Sequence, residues 1–199
     1  MSLPDFLFPA TAIIVVVVTL LSVLQFYRLT GRSPVVLKSG DDALGFSTRL
    51  FRILIIAILV EVTTINLWPD LHGQILGRVP ALDGSVFRIA GIVLWTLGGV
   101  LIMLAQWQMG SSWKIGIDSS EATRLVDTGL FVFSRNPIYL GMVTGLAGLA
   151  LISPEALSFA ILVATWVSLS YQIRMEEAFL EQSIGQAYLD YRKRVRRWL

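Results

Sequence analysis

The chain has 199 residues, of which 55% are hydrophobic and only 15% charged. Soluble domains carry about 25% charged residues, so this composition excludes an ordinary soluble fold and describes one membrane-embedded unit over 1–199. With no cysteine and a single histidine, His72, the chain cannot form disulfides, thiolate metal sites, cysteine nucleophiles, His-rich metal centres or a histidine-based triad. The net charge of +2 matters less than where the charges sit.

Five stretches are apolar enough to cross a bilayer: Phe6–Tyr27, Leu50–Trp68, Phe87–Met109, Pro137–Ile152 and Leu157–Met175. Each is near the length that about 30 Å of hydrocarbon requires, the fourth being the shortest. The first has an acidic flank (Met1-Ser2-Leu3-Pro4-Asp5) and no small-x-small cleavage site, so it reads as a retained span. The fourth and fifth are joined by Ser153-Pro154-Glu155 and form a tight antiparallel hairpin. Gly141, Gly145 and Gly148 let the fourth helix approach a neighbour closely.

Fourteen of the sixteen Lys and Arg fall after spans one, three and five, leaving Arg78 and Arg88 on the other side. Lys and Arg favour the cytoplasm. The expectation is therefore an all-α, polytopic protein of five transmembrane helices, with the N-terminus outside and a cytoplasmic C-terminal helical segment. The expected location is the inner membrane of a bacterial cell. This orientation puts the 110–136 connection and the C-terminal tail on one face. The basic Arg192–Arg197 run reads as a seat on anionic headgroups. It is too small a surface for nucleic acid.

Three segments carry polar residues worth weighing. Leu125–Gly141 holds a Gly turn, then Arg135-Asn136-Pro137-x-Tyr139. Asn136 is a good N-cap and Pro137 a good first helical residue, which leaves Arg135 at the lip of the apolar slab. By itself this is a capped span with a snorkelling Arg and an interfacial Tyr. Gln106–Ile117 leaves span three through Gly110 into a loop with Ser111, Ser112 and Trp113, and alone reads as structural. Tyr171–Tyr191 brings Arg174, Glu176 and Glu177 to the headgroup boundary, where carboxylates are costly unless hydrated or paired. Leu180, Ile184 and Ala187 give the same segment an apolar face for a helix lying on the membrane, broken at Gly185.

The order of these segments resembles the isoprenylcysteine carboxyl methyltransferase family of integral membrane enzymes, and more distantly the phospholipid N-methyltransferases. The matching residues are Met109, Gly110 and Trp113, then Leu125, Val126, Gly129, Phe131, Arg135, Pro137, Tyr139 and Gly141, then Glu176, Glu177, Leu180, Gly185, Tyr188 and Tyr191. They span 106–199, the expected cofactor-binding and catalytic half. Residues 1–105 match only as generic transmembrane helices. The resemblance implies S-adenosylmethionine as cofactor and a lipophilic, membrane-partitioned acceptor, with no metal.

It also implies a cofactor pocket from Thr123, Leu125, Val126, Gly129, Phe131, Arg135, Asn136, Pro137, Tyr139, Glu176 and Tyr188, with Arg174, Glu176 and Glu177 as the catalytic group. Asn136 and Thr123 stand where the family usually has His, and Gln172 where it often has Arg. An amide replaces imidazole as a hydrogen-bond partner but not as a proton acceptor near neutral pH.

Methyl transfer from a sulfonium needs alignment and a water-poor cavity, which suits this inventory. Arg135 suits a carboxylate through a bidentate fork, and Tyr139 and Tyr188 offer ring faces for adenine or the cation. No Gly-x-Gly-x-x-Gly follows a strand, which excludes a Rossmann-type methyltransferase. Two alternatives stand beside this reading. One is a membrane reductase of the sterol-reductase type using NADPH; the other is a non-enzymatic lipid- or partner-binding protein.

Overall fold

A computed structural model of the protein describes residues 43–68, 77–110 and 125–199, with scattered positions between 10 and 31. Among the described residues it contains five α-helices: α1 (Ala43–Leu67), α2 (Ser85–Met109), α3 (Pro137–Ile152), α4 (Ala156–Ile184) and α5 (Gln186–Arg194). Short 3-10 turns cover Pro80–Leu82 and Gly129–Val132. The expected first span, Phe6–Tyr27, and His72 lie largely or wholly outside the described residues.

Among the described residues three helices are long and apolar enough to cross a membrane, namely α1 from Arg49, α2 and α4, while α3 is apolar but shorter. On α2 the residues Val86, Ile89, Val93, Leu97, Val100, Leu104 and Trp107 are all exposed. Their spacing of three and four makes one continuous apolar stripe, which only hydrocarbon can cover over that length. The protein is an integral membrane protein.

The opposite face of α2 is built for contact with α3. A Cβ placed on Gly98 would lie 2.5 Å from both the Gly141 carbonyl oxygen and the Gly145 amide nitrogen. One on Gly91 would lie 2.7 Å from the Gly148 carbonyl oxygen. The two helices therefore run antiparallel with backbone against backbone, and the expected glycine ladder has its neighbour. Close approach replaces the hydrophobic drive that lipid denies to helix pairs.

Ile92, Leu146, Leu149, Ile152 and Ile161 form the core where α2, α3 and α4 meet, and Ala57, Ile58, Val62 and Ile65 of α1 pack on it. Glu61 of α1, 1% exposed, is hydrogen-bonded to Ser158 of α4. That bond pins α1 to α4 far from the polar end described below. The Ser153–Glu155 turn joins α3 to α4 as expected, and the 77–79 segment pairs with it through Val79 N–H to the Pro154 carbonyl, 2.7 Å, and Ala156 N–H to the Gly77 carbonyl, 2.9 Å.

The end of the chain differs from the sequence expectation. The fifth span does not stop at Met175 but continues as one 29-residue helix to Ile184. Nothing between Met175 and Ile184 breaks a helix, since Glu, Ala, Leu and Gln are all good formers. The stop is Gly185, whose φ of +67° ends α4 and starts α5 at an angle to it. Leu180 and Ile184 then face Tyr188, Tyr191 and Val195, while Ala187 is exposed and leaves the apolar face it was expected to join.

Candidate functional site

Four pieces of chain meet at one end of the helical bundle: the exit of α2, the 125–136 segment, the last turns of α4, and the tail after α5. The 3-10 turn at Gly129 begins with φ +62°, and the Leu130 N–H donates to Gln108 Oε1 of α2 at 2.8 Å. Arg135 N–H donates to the Arg196 carbonyl at 2.9 Å, and Asn136 Nδ2 to the Arg197 carbonyl at 2.9 Å. The tail thus runs as a strap across the entry to α3.

Asn136 was expected to cap α3 with its side chain. It makes no side-chain cap bond. Its Nδ2 donates to the strap instead, which turns the side chain toward the tail, and its backbone N–H donates to Ser134 Oγ at 3.1 Å. Pro137 does open the helix, where its missing N–H costs nothing.

Under the strap lies an ion-paired cluster. Glu177 accepts from Arg197 twice, Nε to Oε1 at 3.1 Å and Nη2 to Oε2 at 2.7 Å. Arg135 Nη2 is 3.1 Å from Glu177 Oε1, with both side chains at least nine-tenths buried. Two cations on one carboxylate offset much of the cost of burying it. Burial of Arg135 leaves Nε and Nη1 with no hydrogen-bond partner. Three N–H bonds of a buried guanidinium are therefore unused although its charge is paired with Glu177, and they remain available to the acceptor oxygens of a ligand.

Beside this cluster, Tyr139 of α3 donates to Glu176 Oε1 at 2.6 Å, and Gln172 Nε2 reaches the same oxygen at 3.0 Å. Neighbouring carboxylates thus have different partners: Glu177 two cations, Glu176 two neutral donors.

The remaining sequence-expected residues divide clearly. Tyr188 is 1% exposed and packs with Tyr191 and Val195 against Leu125, Leu180 and Ile184. Its ring is enclosed by these residues. Leu125 belongs to the same cluster. Phe131 is buried, and its carbonyl accepts from Tyr191 Oη at 2.7 Å. Val126 is half-buried and Gly129 exposed. Arg174 is exposed and carries no ion pair among the described residues, so the structure does not bring it to Glu176 or Glu177. Glu177, expected in the catalytic group, is held by two arginines. Thr123 and Trp113 lie outside the described residues.

Burial raises the Tyr191 phenol to about 12, helped by Tyr188 next to it. Burial likewise raises Tyr188, with Glu177 adding to it and Arg135 opposing. The paired Glu177 raises Arg197 further.

Arg197 and Gln106 are not among the expected site residues, and Gln172 enters the expectation only as the residue where the family often has Arg. Arg197 was counted only as part of a basic run, and that run is largely neutralised: Arg192 pairs with Glu181, Lys193 with Asp190 and Arg194 with Asp127. For Gln106 the signal was available, because an amide inside the last turns of an apolar span is costly and asks for a reason.

An all-helical membrane protein whose one polar end is closed by a tail strap over buried arginines and carboxylates is the class that fold and site define. The family model described as phospholipid methyltransferase matches residues 86–187. The protein-S-isoprenylcysteine O-methyltransferase of Saccharomyces cerevisiae is 25% identical over 195 residues, covering 96% of this chain and 80% of the yeast protein. Protein-S-isoprenylcysteine O-methyltransferase A of Arabidopsis thaliana is 30% identical over 149 residues, covering 71% and 68%. That of Schizosaccharomyces pombe is 27% identical over 114 residues, covering 56% and 48%. The chain belongs to the phospholipid methyltransferase family, within its isoprenylcysteine methyltransferase group. It is a methyltransferase and so requires a methyl donor. Nothing supports the sterol-reductase alternative.

Proposed function

We propose that the chain transfers a methyl group from S-adenosylmethionine to a lipophilic acceptor entering from the bilayer, at a site on the cytoplasmic side. The relatives are named for an isoprenylcysteine acceptor and the family model for a phospholipid. Both acceptors are hydrophobic molecules with a polar end, and a membrane-embedded enzyme suits either. The topology that goes with this reading has five spans, including Phe6–Tyr27, with the N-terminus outside and the C-terminus inside.

The observation that carries the reading is Arg135. Its Nη2 is fixed by Glu177 while Nε and Nη1 have no partner, so the residues present fit an anionic group such as the cofactor carboxylate. When bound, S-adenosylmethionine supplies a methyl group on a positively charged sulfur. Arg135 binds the carboxylate, and Glu177 with Arg197 holds Arg135 in place. Leu125, Val126, Gly129, Phe131, Asn136 and Pro137 shape the wall beside it. Tyr139 and Gln172 fix Glu176 Oε1, which leaves the other oxygen to orient the acceptor or hold its proton. The strap and the apolar ends of α2, α3 and α4 keep water from competing with the acceptor.

Binding of tritiated S-adenosylmethionine to the purified protein tests this. Saturable binding, lost in Arg135→Ala and not displaced by NADPH, is expected. No binding by the wild-type protein overturns it.

A further inference from the structure

Gln106 is 7% exposed, and its Oε1 is buried with no hydrogen-bond partner. A buried carbonyl left unpaired costs stability. Its position in the bundle says what it faces.

Along the helix axis, Ile102 of α2 lies beside Gly141 of α3. In an antiparallel pair one further turn of α2 brings Gln106 level with Pro137, the residue that follows Arg135 and Asn136. Around the axis, Ile92, Gly99 and Gln106 are seven residues apart, a spacing that drifts only about 20° per step. All three are buried. Ile92 packs in the core with Leu149 of α3 and Ile161 of α4, so this stripe looks into the seam between those helices. Because α4 runs parallel to α2, the seam at the level of Gln106 is where Tyr139 meets Glu176.

The polar end therefore buries unused groups of opposite kind at one level: donors on Arg135 Nε and Nη1, and an acceptor on Gln106 Oε1. They do not bond each other. A ligand that satisfies both carries an anion and an N–H donor, as an amino-acid head group does.

We infer that Gln106 is a binding residue for the methyl donor, its Oε1 accepting from an N–H of that molecule while Arg135 takes the carboxylate. This rests on S-adenosylmethionine being the donor. The α-ammonium and the adenine 6-amino group share the required chemistry, and the ammonium is adjacent to the carboxylate.

The test uses the full chain in detergent micelles or nanodiscs, with S-adenosylhomocysteine as the probe in calorimetric titrations. Two analogues are titrated beside it, one without the α-amino group and one without the adenine 6-amino group. Gln106→Met keeps the volume and removes the acceptor, whereas Gln106→Glu keeps acceptor oxygens. The wild-type protein is expected to bind one analogue about tenfold more weakly than S-adenosylhomocysteine, a loss typical of one buried hydrogen bond. Gln106→Met is expected to bind S-adenosylhomocysteine about tenfold more weakly and to lose that discrimination. Gln106→Glu should restore part of it.

Without ligand, the melting temperature of Gln106→Met should equal or exceed that of the wild type, because an unpaired buried carbonyl is gone. A structural amide would lower it. Unchanged affinity in Gln106→Met, or undiminished discrimination against the analogue, overturns the inference and leaves the donor assignment standing. Failure of the wild-type protein to bind S-adenosylhomocysteine overturns the donor assignment and this inference together.

Discussion

Arg197 reaches across twenty residues of sequence and the bend at Gly185 to close a two-point fork on Glu177, at 3.1 and 2.7 Å. The same residue's carbonyl accepts from Asn136 Nδ2 at 2.9 Å. Side chain and backbone of one residue near the C-terminus thus tie the end of α4 to the start of α3. Replacing it with Ala removes the fork but leaves Glu177 paired with Arg135. Since Arg197 is 37% exposed, the full penalty for breaking a buried pair does not apply, and about 1–3 kcal/mol is expected. Chemical unfolding in mild detergent measures it. Glu177→Gln combined with Arg197→Ala should cost less than the sum of the two single changes.

Arg135→Lys keeps the charge and a contact to Glu177 but loses the planar array of N–H bonds. Affinity for S-adenosylmethionine should fall about tenfold or more, with the fold intact by circular dichroism. Wild-type affinity in this variant would remove Arg135 from the binding role.

Tyr139→Phe removes a 2.6 Å bond from Glu176 and leaves Gln172 as its one recorded donor among the described residues. Turnover should fall about tenfold while cofactor affinity changes little. A change confined to cofactor affinity would place Tyr139 at the donor rather than the acceptor.

Gly98→Val puts a Cβ where α3 backbone atoms lie 2.5 Å away. Backbone cannot yield as a side chain does, so the loss should be about 3 kcal/mol or more, seen as a lower melting temperature. Gly185→Ala is the contrast: no atom lies within 4 Å of its Cβ, and only the φ of +67° opposes it. With ψ at −131° this is a backbone region that side-chain-bearing residues rarely adopt, and the strain costs about 1–3 kcal/mol.

Alkaline pH should loosen the C-terminal cluster. Burial raises Tyr191 to about 12, so the folded chain holds this proton more tightly than the unfolded chain, where tyrosine titrates near 10. Its contribution is complete below about pH 10 and is lost as pH rises through about 12. Tyr188 shifts in the same direction. Tyr191→Phe should lower stability at neutral pH by about 1 kcal/mol, through loss of the bond to the Phe131 carbonyl. It should also flatten the decline between pH 10 and 12. Unfolding curves across pH 8–12 check both.

Much of this protein was legible in one dimension. Low charge and runs of apolar residues dictate membrane helices, because unsatisfied backbone polar groups are intolerable in hydrocarbon. Pro137 marked the start of α3, Gly141, Gly145 and Gly148 marked a packing face, and three spaced motifs pointed to the family. Those are properties of local chemistry and periodicity, which a sequence carries directly. Which carboxylate would be locked and which left to neutral donors was not carried there, since Glu176 and Glu177 are adjacent and chemically alike. Helical rotation of about 100° separates them: one faces Arg135 and Arg197, the other Tyr139 and Gln172. The same rotation sets Gln106 into the seam and leaves Arg174 exposed. Partners drawn from helices far apart in sequence exist only once those helices pack, so the division of roles at the polar end belongs to the tertiary structure alone.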